Sequence, residues 1–272
     1  MAVINSNISA LRAANASMQA DKMMGVAMER LSTGRRINGA KDDAAGLAIT
    51  TQMTADIRAT NQGIRNANDG IALAQTAEGA LDEVTNMLQR VRELGVQSST
   101  GTYADTDRAY MNAEVTELQD QISNILANTT FNDVALFSTT SGSDVSFSIA
   151  INATETVTLT SSAIDGTDIS ATALDVSSAT AAATTITNVD SALDAIASTR
   201  ATLGAGQNRL ESVISNLSTQ STNLSDARSR IMDADYSAET TALAKSQILA
   251  QASTAMLAQA NQSQQNVLSL LR

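Results

Sequence analysis

Met53–Leu88 reads MTADIRATNQGIRNANDGIALAQTAEGALDEVTNML. Met53, Ile57, Thr60, Ile64, Ala67, Ile71 and Ala74 follow one another at alternating steps of four and three, and Leu81 and Leu88 prolong the line by sevens. On a helix those positions fall on one narrow stripe, the pattern of coiled-coil packing. The run predicts a helix over about residues 44–98, roughly 80 Å long at about 1.5 Å per residue.

The same spacing recurs on both sides of this stretch. Met111, Val115, Leu118, Ile122 and Ile125 repeat it in the next segment. Ile186, Val189, Leu193, Ile196 and Leu203 open another run, which Leu210, Ile214, Leu217, Leu224 and Ile231 continue. Near the start, Ile4, Ile8, Leu11 and Met18 share a register that Asn15 and Lys22 interrupt; near the end, Leu249, Ala252, Met256 and Leu270 share one that Gln259 and Ser263 interrupt. Breaks fall at Ser32–Gly39, Ser98–Asp107 and around Asp233–Asp235. Asp105 or Thr106 is placed to cap the helix after the second break.

Composition agrees with long, thin packing. Of 272 residues 47 are Ala, the best helix former and one that lets helices approach closely, whereas Phe and Tyr number three each. There is no Pro, Cys, His or Trp. Without cysteine there are no disulfides, zinc–thiolate sites, iron–sulfur clusters or thiol catalysis. Without histidine the commonest general base and transition-metal ligand is missing, and no catalytic constellation remains. Enzyme function and cofactors are therefore not expected. Proline-free helices need no explanation, but proline-free loops do, because turns usually welcome it. A chain that must stay unfolded, pass a narrow conduit and refold fast gains from lacking both disulfides and slow prolyl isomerisation.

The middle differs in kind. Val145, Phe147, Ile149 and Ile151 alternate with small polar residues, as do Val157 and Leu159, with Asn152–Glu155 between them, which predicts a β-hairpin. Ser and Thr make up 24 of the 59 residues from Thr129 to Thr187. No Lys or Arg occurs between Arg108 and Arg200, a stretch holding 11 acidic residues, so most of the net charge of −11 is central. Phosphate binding needs a basic face, which argues against nucleic acid. No apolar run is long enough for a membrane span, and the N-terminus shows no basic-then-apolar secretory signal. The fold class expected is mainly α: a long coiled-coil-like bundle built by the N- and C-terminal segments around a small central β-hairpin region.

The two terminal stripes are too weak to hold helices alone. Ordering about 35 residues costs roughly 1–2 kcal/mol each in backbone entropy, which isolated stripes of Ile, Leu and Ala do not repay. Either these ends fold only by packing on each other and on neighbouring copies, as in coupled folding and binding, or they form an ordinary intramolecular helical hairpin.

Leu31–Ile49, LSTGRRINGAKDDAAGLAI, resembles the N-terminal signature of bacterial flagellins. QRVRELGVQS at Gln89–Ser98, LGAGQNRLES at Leu203–Ser212, SRIMDADYSAET at Ser229–Thr240 and NQSQQNVLSLLR at Asn261–Arg272 resemble further flagellin segments in the same order. The resemblance covers roughly 1–130 and 185–272, and the short middle leaves no room for bulky outer domains. It implies a subunit of the flagellar filament, outside the cell and exported without a cleavable signal by the flagellar type III apparatus. An inner terminal domain would comprise 1–43 with 234–272, a helical bundle 44–130 with 181–233, and an exposed, acidic β-rich region 131–180. The hook–filament junction proteins, which share flagellin-like ends, are the alternative. A coiled-coil signalling protein fits less well, for want of membrane spans and of long heptads without a β insertion.

The resemblance also assigns residues. Ile4, Ile8, Leu11, Met18, Leu249, Met256 and Leu270 would form the self-assembly seam. Gly34, Arg35, Asn38, Gly39, Asp42 and Asp43 fall in the inner–outer connector, where the glycines permit turns and Asp42 or Asp43 can cap the long helix. The acidic pairs at helix boundaries suit capping better than a metal or acid–base site. Arg90, Leu94 and Glu114, with Leu88 and Gln89 beside them, fall where flagellins carry the motif read by Toll-like receptor 5, and the same residues are expected to contact neighbouring subunits. Leu249, Met256, Val267, Leu268, Leu270 and Leu271 would expose an aggregation-prone stripe for an export chaperone to grip. A filament cap protein and a hook–filament junction protein are the other implied partners. Some flagellins carry O-linked sugars in the Ser/Thr-rich centre.

Overall fold

The computed structural model describes residues 6–140, 142–152, 154–170 and 172–269. Ile4, Leu270 and Leu271, and the side chains of Val267 and Leu268, lie outside the described residues. Five helices and two small antiparallel ribbons follow in order: α1 (Ile8–Thr33), α2 (Ala44–Ser99), α3 (Asp105–Asn128), β1 (Thr130–Phe131), β2 (Val134–Ala135), β3 (Val145–Ala150), β4 (Thr156–Ser161), α4 (Ala179–Met232) and α5 (Tyr236–Ser269). The helix breaks fall where the polar and Gly-containing stretches predict them. Among the described residues no helix is long and apolar enough to cross a membrane.

The chain divides into two compact units. One comprises residues up to 57 with those from 222; the other comprises 58–221. In the second unit the stripes read from sequence are the stripes that are buried. Ala67, Ala74, Leu81 and Leu88 of α2, Met111, Val115 and Ile122 of α3, and Val189, Ile196, Leu203 and Leu210 of α4 all lie in one continuous core. Ion pairs lace its helices at the surface: Arg92 Nε to Asp190 Oδ1 at 2.8 Å and Arg200 Nη1 to Asp82 Oδ1 at 2.7 Å join α2 to α4. Half-exposed pairs of this kind contribute little individually, about 0–1 kcal/mol.

The predicted hairpin forms, with Val145 opposite Ser161 and Ile149 opposite Val157. Its alternation turns Ile149, Val157 and Leu159 into the helical core and Ser146, Ser148 and Thr158 outward. Helix glycines let it lie close. Cβ atoms at Gly63 and Gly70 of α2 and at Gly206 of α4 would collide with Ile151, Ile149 and Leu159 respectively. Asn66 Nδ2 donates to the Ala150 carbonyl at 2.7 Å, pinning the end of β3 to the α2 surface. The irregular segment after β4 is tied down by two buried side chains, Ser98 and Thr185, and a half-buried one, Asn188. Ser98 Oγ donates to the Val176 carbonyl at 2.6 Å, Thr185 Oγ1 to that of Asp175 at 2.7 Å, and Asn188 Nδ2 to that of Ala173 at 2.9 Å.

The α2–α3 elbow is built on a buried cation. Arg108 sends Nη1 to Ser98 Oγ at 3.2 Å and Nη2 to the Thr100 carbonyl at 2.9 Å. The expected cap at Asp105 or Thr106 is not the one used. Asp105 begins the helix, and Asp107 reaches back to accept the Ala104 N–H at 3.3 Å. Position 107 is the third helical residue, from which a short carboxylate can turn back to the helix start.

Candidate self-assembly surface

In the first unit, α1 and α5 pack along their length. Their shared seam is made of small side chains. Ala20 and Ala27 of α1 and Ser246 and Ala260 of α5 are buried, with Ala13, Ser17, Ala250 and Ser253 half-buried between them. Small residues allow the close helix approach that Ala-rich sequences favour, at the expense of buried apolar area. Polar contacts mark the two ends of the pair. Asn7 caps α1 through the Ala10 N–H at 3.0 Å and donates its Nδ2 to the Ala260 carbonyl at 3.0 Å. At the other end Tyr236 donates its hydroxyl to the Leu31 carbonyl at 3.1 Å, and Arg30 pairs with Glu239 at 3.7 Å.

Most of the large apolar residues of these helices lie outside that seam; Met24, Leu31, Leu243 and Leu257 are the half-buried ones. Leu11, Met18 and Met256 are 61%, 62% and 63% exposed, and Ile8, Met23, Met28, Ile248 and Leu249 are exposed too. The register that located the core in α2–α4 therefore locates the outward faces of α1 and α5. The difference lies in side-chain size: pattern reading follows Leu, Ile and Met, whereas the fully buried positions of this pair are Ala and Ser. Two shallow grooves run between the helices, of about 540 and 490 Å³. Ala16, Ala252 and Met256 contribute to the walls of the first, and Met23, Val26 and Leu249 to those of the second. Exposed apolar area of this extent on one helical pair marks a surface that associates.

The connector between α1 and α2 is a folded turn. Gly34 closes α1 with φ 68°, in the left-handed region where glycine carries no Cβ penalty. Beyond it Arg36 N–H donates to the Met232 carbonyl at 2.7 Å and Ala234 N–H to that of Gly34 at 3.0 Å, so a short antiparallel bridge pairs Arg35 with Asp233. Asp43 caps α2 through the Gly46 N–H at 2.8 Å. Asp42 serves the turn itself, where one carboxylate oxygen accepts the N–H groups of Asn38 at 3.0 Å and Gly39 at 3.1 Å. Asp235 caps α5, accepting the Ser237 N–H at 2.9 Å. Each of these boundary carboxylates has a backbone partner.

Those two donors, Asn38 first and Gly39 next, hold the Asp42 carboxyl below the usual carboxylate range. A lowered folded value means that the contribution is complete above the ordinary pKa and is lost as pH falls through the lower one. The amide resonances of Asn38 and Gly39 are expected to hold steady through the ordinary carboxylate titration and to move together only in stronger acid. Asp42→Asn should abolish the step. A midpoint at or above the ordinary aspartate value contradicts this assignment.

The five residues on α2 and α3 separate into two groups. Leu88 and Leu94 are buried in the core of the second unit and present no surface. Gln89, Arg90 and Glu114 are exposed. Arg90 bridges the helices, with Nε to Glu114 Oε1 at 2.8 Å and Nη1 to Glu93 Oε2 at 3.0 Å. Those carboxylates, Glu114 foremost, raise the guanidinium pKa further.

Residues 4–142 match the N-terminal helical region of bacterial flagellin and residues 186–271 its C-terminal helical region. A flagellin from Halalkalibacterium halodurans is 45% identical over 279 residues, spanning 99% of this chain and 100% of its own. A flagellin from Bacillus subtilis is 43% identical over 302 residues, with 99% of each chain covered. A flagellar filament 33 kDa core protein from Treponema phagedenis is 39% identical, covering 99% of this chain and 100% of that one. Among solved structures, a protein described as flagellar hook-associated, from Vibrio parahaemolyticus, aligns with TM-score 0.60 over 71% of this chain and 100% of its own, at 16% identity, a likeness of fold alone. Matched at both ends and over nearly its whole length, the chain belongs to the bacterial flagellin family.

Proposed function

We propose that this chain is a structural subunit that polymerises with copies of itself into the flagellar filament, outside the cell, and that it is not an enzyme. The observation that carries the reading is the inverted burial of the terminal helices. They bury chiefly Ala and Ser and leave Ile8, Leu11, Met18, Ile248, Leu249 and Met256 exposed, an arrangement with a use only when neighbours cover it. Family membership supplies the identity of those neighbours as further copies of the chain. In the assembled state, 1–43 with 234–272 form the inner layer, 44–130 with 181–233 the surrounding bundle, and 131–180 the acidic outer region. Ile8, Leu11, Met18, Leu249 and Met256 carry the contacts between subunits, with Ile4 and Leu270 extending the same line.

Before assembly the same apolar stripe needs cover. An export chaperone gripping the C-terminal segment at Leu249, Met256, Val267, Leu268 and Leu271 supplies it, and the unfolded chain then leaves through the flagellar type III apparatus. A cap protein receives it at the growing tip, and a junction protein joins the filament to the hook. For Toll-like receptor 5 the exposed trio Gln89, Arg90 and Glu114 is the surface available on the depolymerised chain, with Leu88 and Leu94 supporting it from the core.

Seeded growth tests this reading. Purified chain mixed with sheared filament fragments is expected to extend them into micrometre-long filaments visible by electron microscopy. A chain that stays monomeric, or that adds once to an end and stops, fails the proposal; the second outcome is what a junction protein gives.

A further inference from the structure

Asn38–Gly39 is the single Asn-Gly pair in the sequence. In a flexible chain this dipeptide is the one most prone to deamidation, because glycine puts no side chain in the way of ring closure. The Gly39 nitrogen, once it has given up its proton to base, attacks Asn38 Cγ. The Cγ–Nδ2 bond breaks, ammonia leaves, and water opens the resulting succinimide to aspartate or isoaspartate. Isoaspartate carries the backbone through the former side chain and lengthens it by one methylene.

We propose that Asn38–Gly39 is a latent deamidation site that Asp42 holds in check in the folded connector. Both nitrogens the reaction needs, the attacking and the leaving one, are engaged elsewhere. The attacking nitrogen of Gly39 points its hydrogen at Asp42 Oδ2, 3.1 Å away. The Asn38 N–H is bound to the same oxygen at 3.0 Å, so the amides on both sides of the Asn38 Cα are held and its backbone dihedrals are fixed. The leaving nitrogen, Asn38 Nδ2, donates to the Arg35 carbonyl at 3.1 Å, which fixes the side-chain amide. The Asp42 N–H returns to the Gly39 carbonyl at 3.0 Å, closing the turn. Ionising the Gly39 nitrogen places a second negative charge beside the carboxylate, so the reactive anion is disfavoured electrostatically as well as sterically. The restraint exists only while the turn is folded.

Trypsin cleaves after Arg36 and Lys41, so the modified and unmodified forms of the Ile37–Lys41 peptide can be resolved by mass and chromatography. The native monomer is incubated at neutral pH and compared with Asp42→Ala, with Asp43→Ala and with wild-type chain unfolded in guanidinium chloride. Asp42→Ala is expected to deamidate about tenfold faster than wild type, the rate equivalent of losing a hydrogen bond to a charged group. Asp43→Ala, which removes the neighbouring cap but leaves both Asp42 contacts, is expected to keep the wild-type rate. Native wild type reacting as fast as the unfolded chain overturns the proposal. Equal rates in wild type and Asp42→Ala overturn it too, as does an Asp43→Ala variant as fast as Asp42→Ala, which assigns the protection to general order of the segment.

Discussion

Gly63→Ala is expected to destabilise the second unit by about 1–3 kcal/mol, the usual cost of forcing extra carbon into filled space. The obstacle to the new Cβ is the Ile151 carbonyl, main chain that has no rotamer to swing away. The end of the hairpin has to lift, carrying with it the Ala150 carbonyl that Asn66 holds. Replacing a helical glycine also yields about 0.5–1 kcal/mol in the opposite sense, too little to cancel the collision. Gly79 separates the two effects. Nothing lies within 4 Å of a Cβ at that position, so Gly79→Ala retains only the gain. Denaturant midpoints should therefore move in opposite directions for the two variants. A rise in both would show that the hairpin is not seated as described.

Leu11→Asp and Met256→Asp are expected to leave the monomer unchanged and to stop filament growth. Both side chains are largely exposed, so far-UV circular dichroism and the thermal midpoint of the free chain should match wild type. Burying an apolar side chain of this size contributes about 1.5–3 kcal/mol. Losing that at every contact raises the critical concentration at least about tenfold per site, before the added cost of covering a charge. Ala20→Asp makes the opposite comparison, since it strikes the seam between α1 and α5 and weakens the pair within one chain. Wild-type polymerisation by Leu11→Asp and Met256→Asp would remove these faces from the assembly.

Where large apolar residues repeat and are covered by the same chain, sequence and structure agree residue for residue. Every member of the Met53–Leu88 stripe is buried or half-buried, and the hairpin turns the apolar side of its alternation inward. In α1 and α5 the stripe read from sequence lies on the exposed faces, and the buried seam was not legible, because a seam rich in Ala and Ser carries little contrast against an Ala-rich background. The glycines beneath the hairpin were legible in part. Gly63 and Gly70 stand one heptad apart on α2, a spacing that aligns them on one face, but what crosses that face is a contact with a distant strand. Leu88 and Leu94 sit on a surface motif yet belong to the core, since a linear segment does not separate the inward half of a helix from the outward half. The division of labour between Asp42 and Asp43 depends on which backbone amides the turn brings near, and adjacent identical residues carry no sign of it.

Two of the bends of the chain, before α2 and before α3, differ in their chemistry. The turn before α2 hangs on a carboxylate, a group that protons can neutralise. The elbow before α3 hangs on the guanidinium of Arg108, fastened to carbonyl and hydroxyl oxygens, and arginine keeps its charge at any pH a protein meets. Strong acid therefore removes the tie at Asp42 and leaves the ties of Arg108 in place.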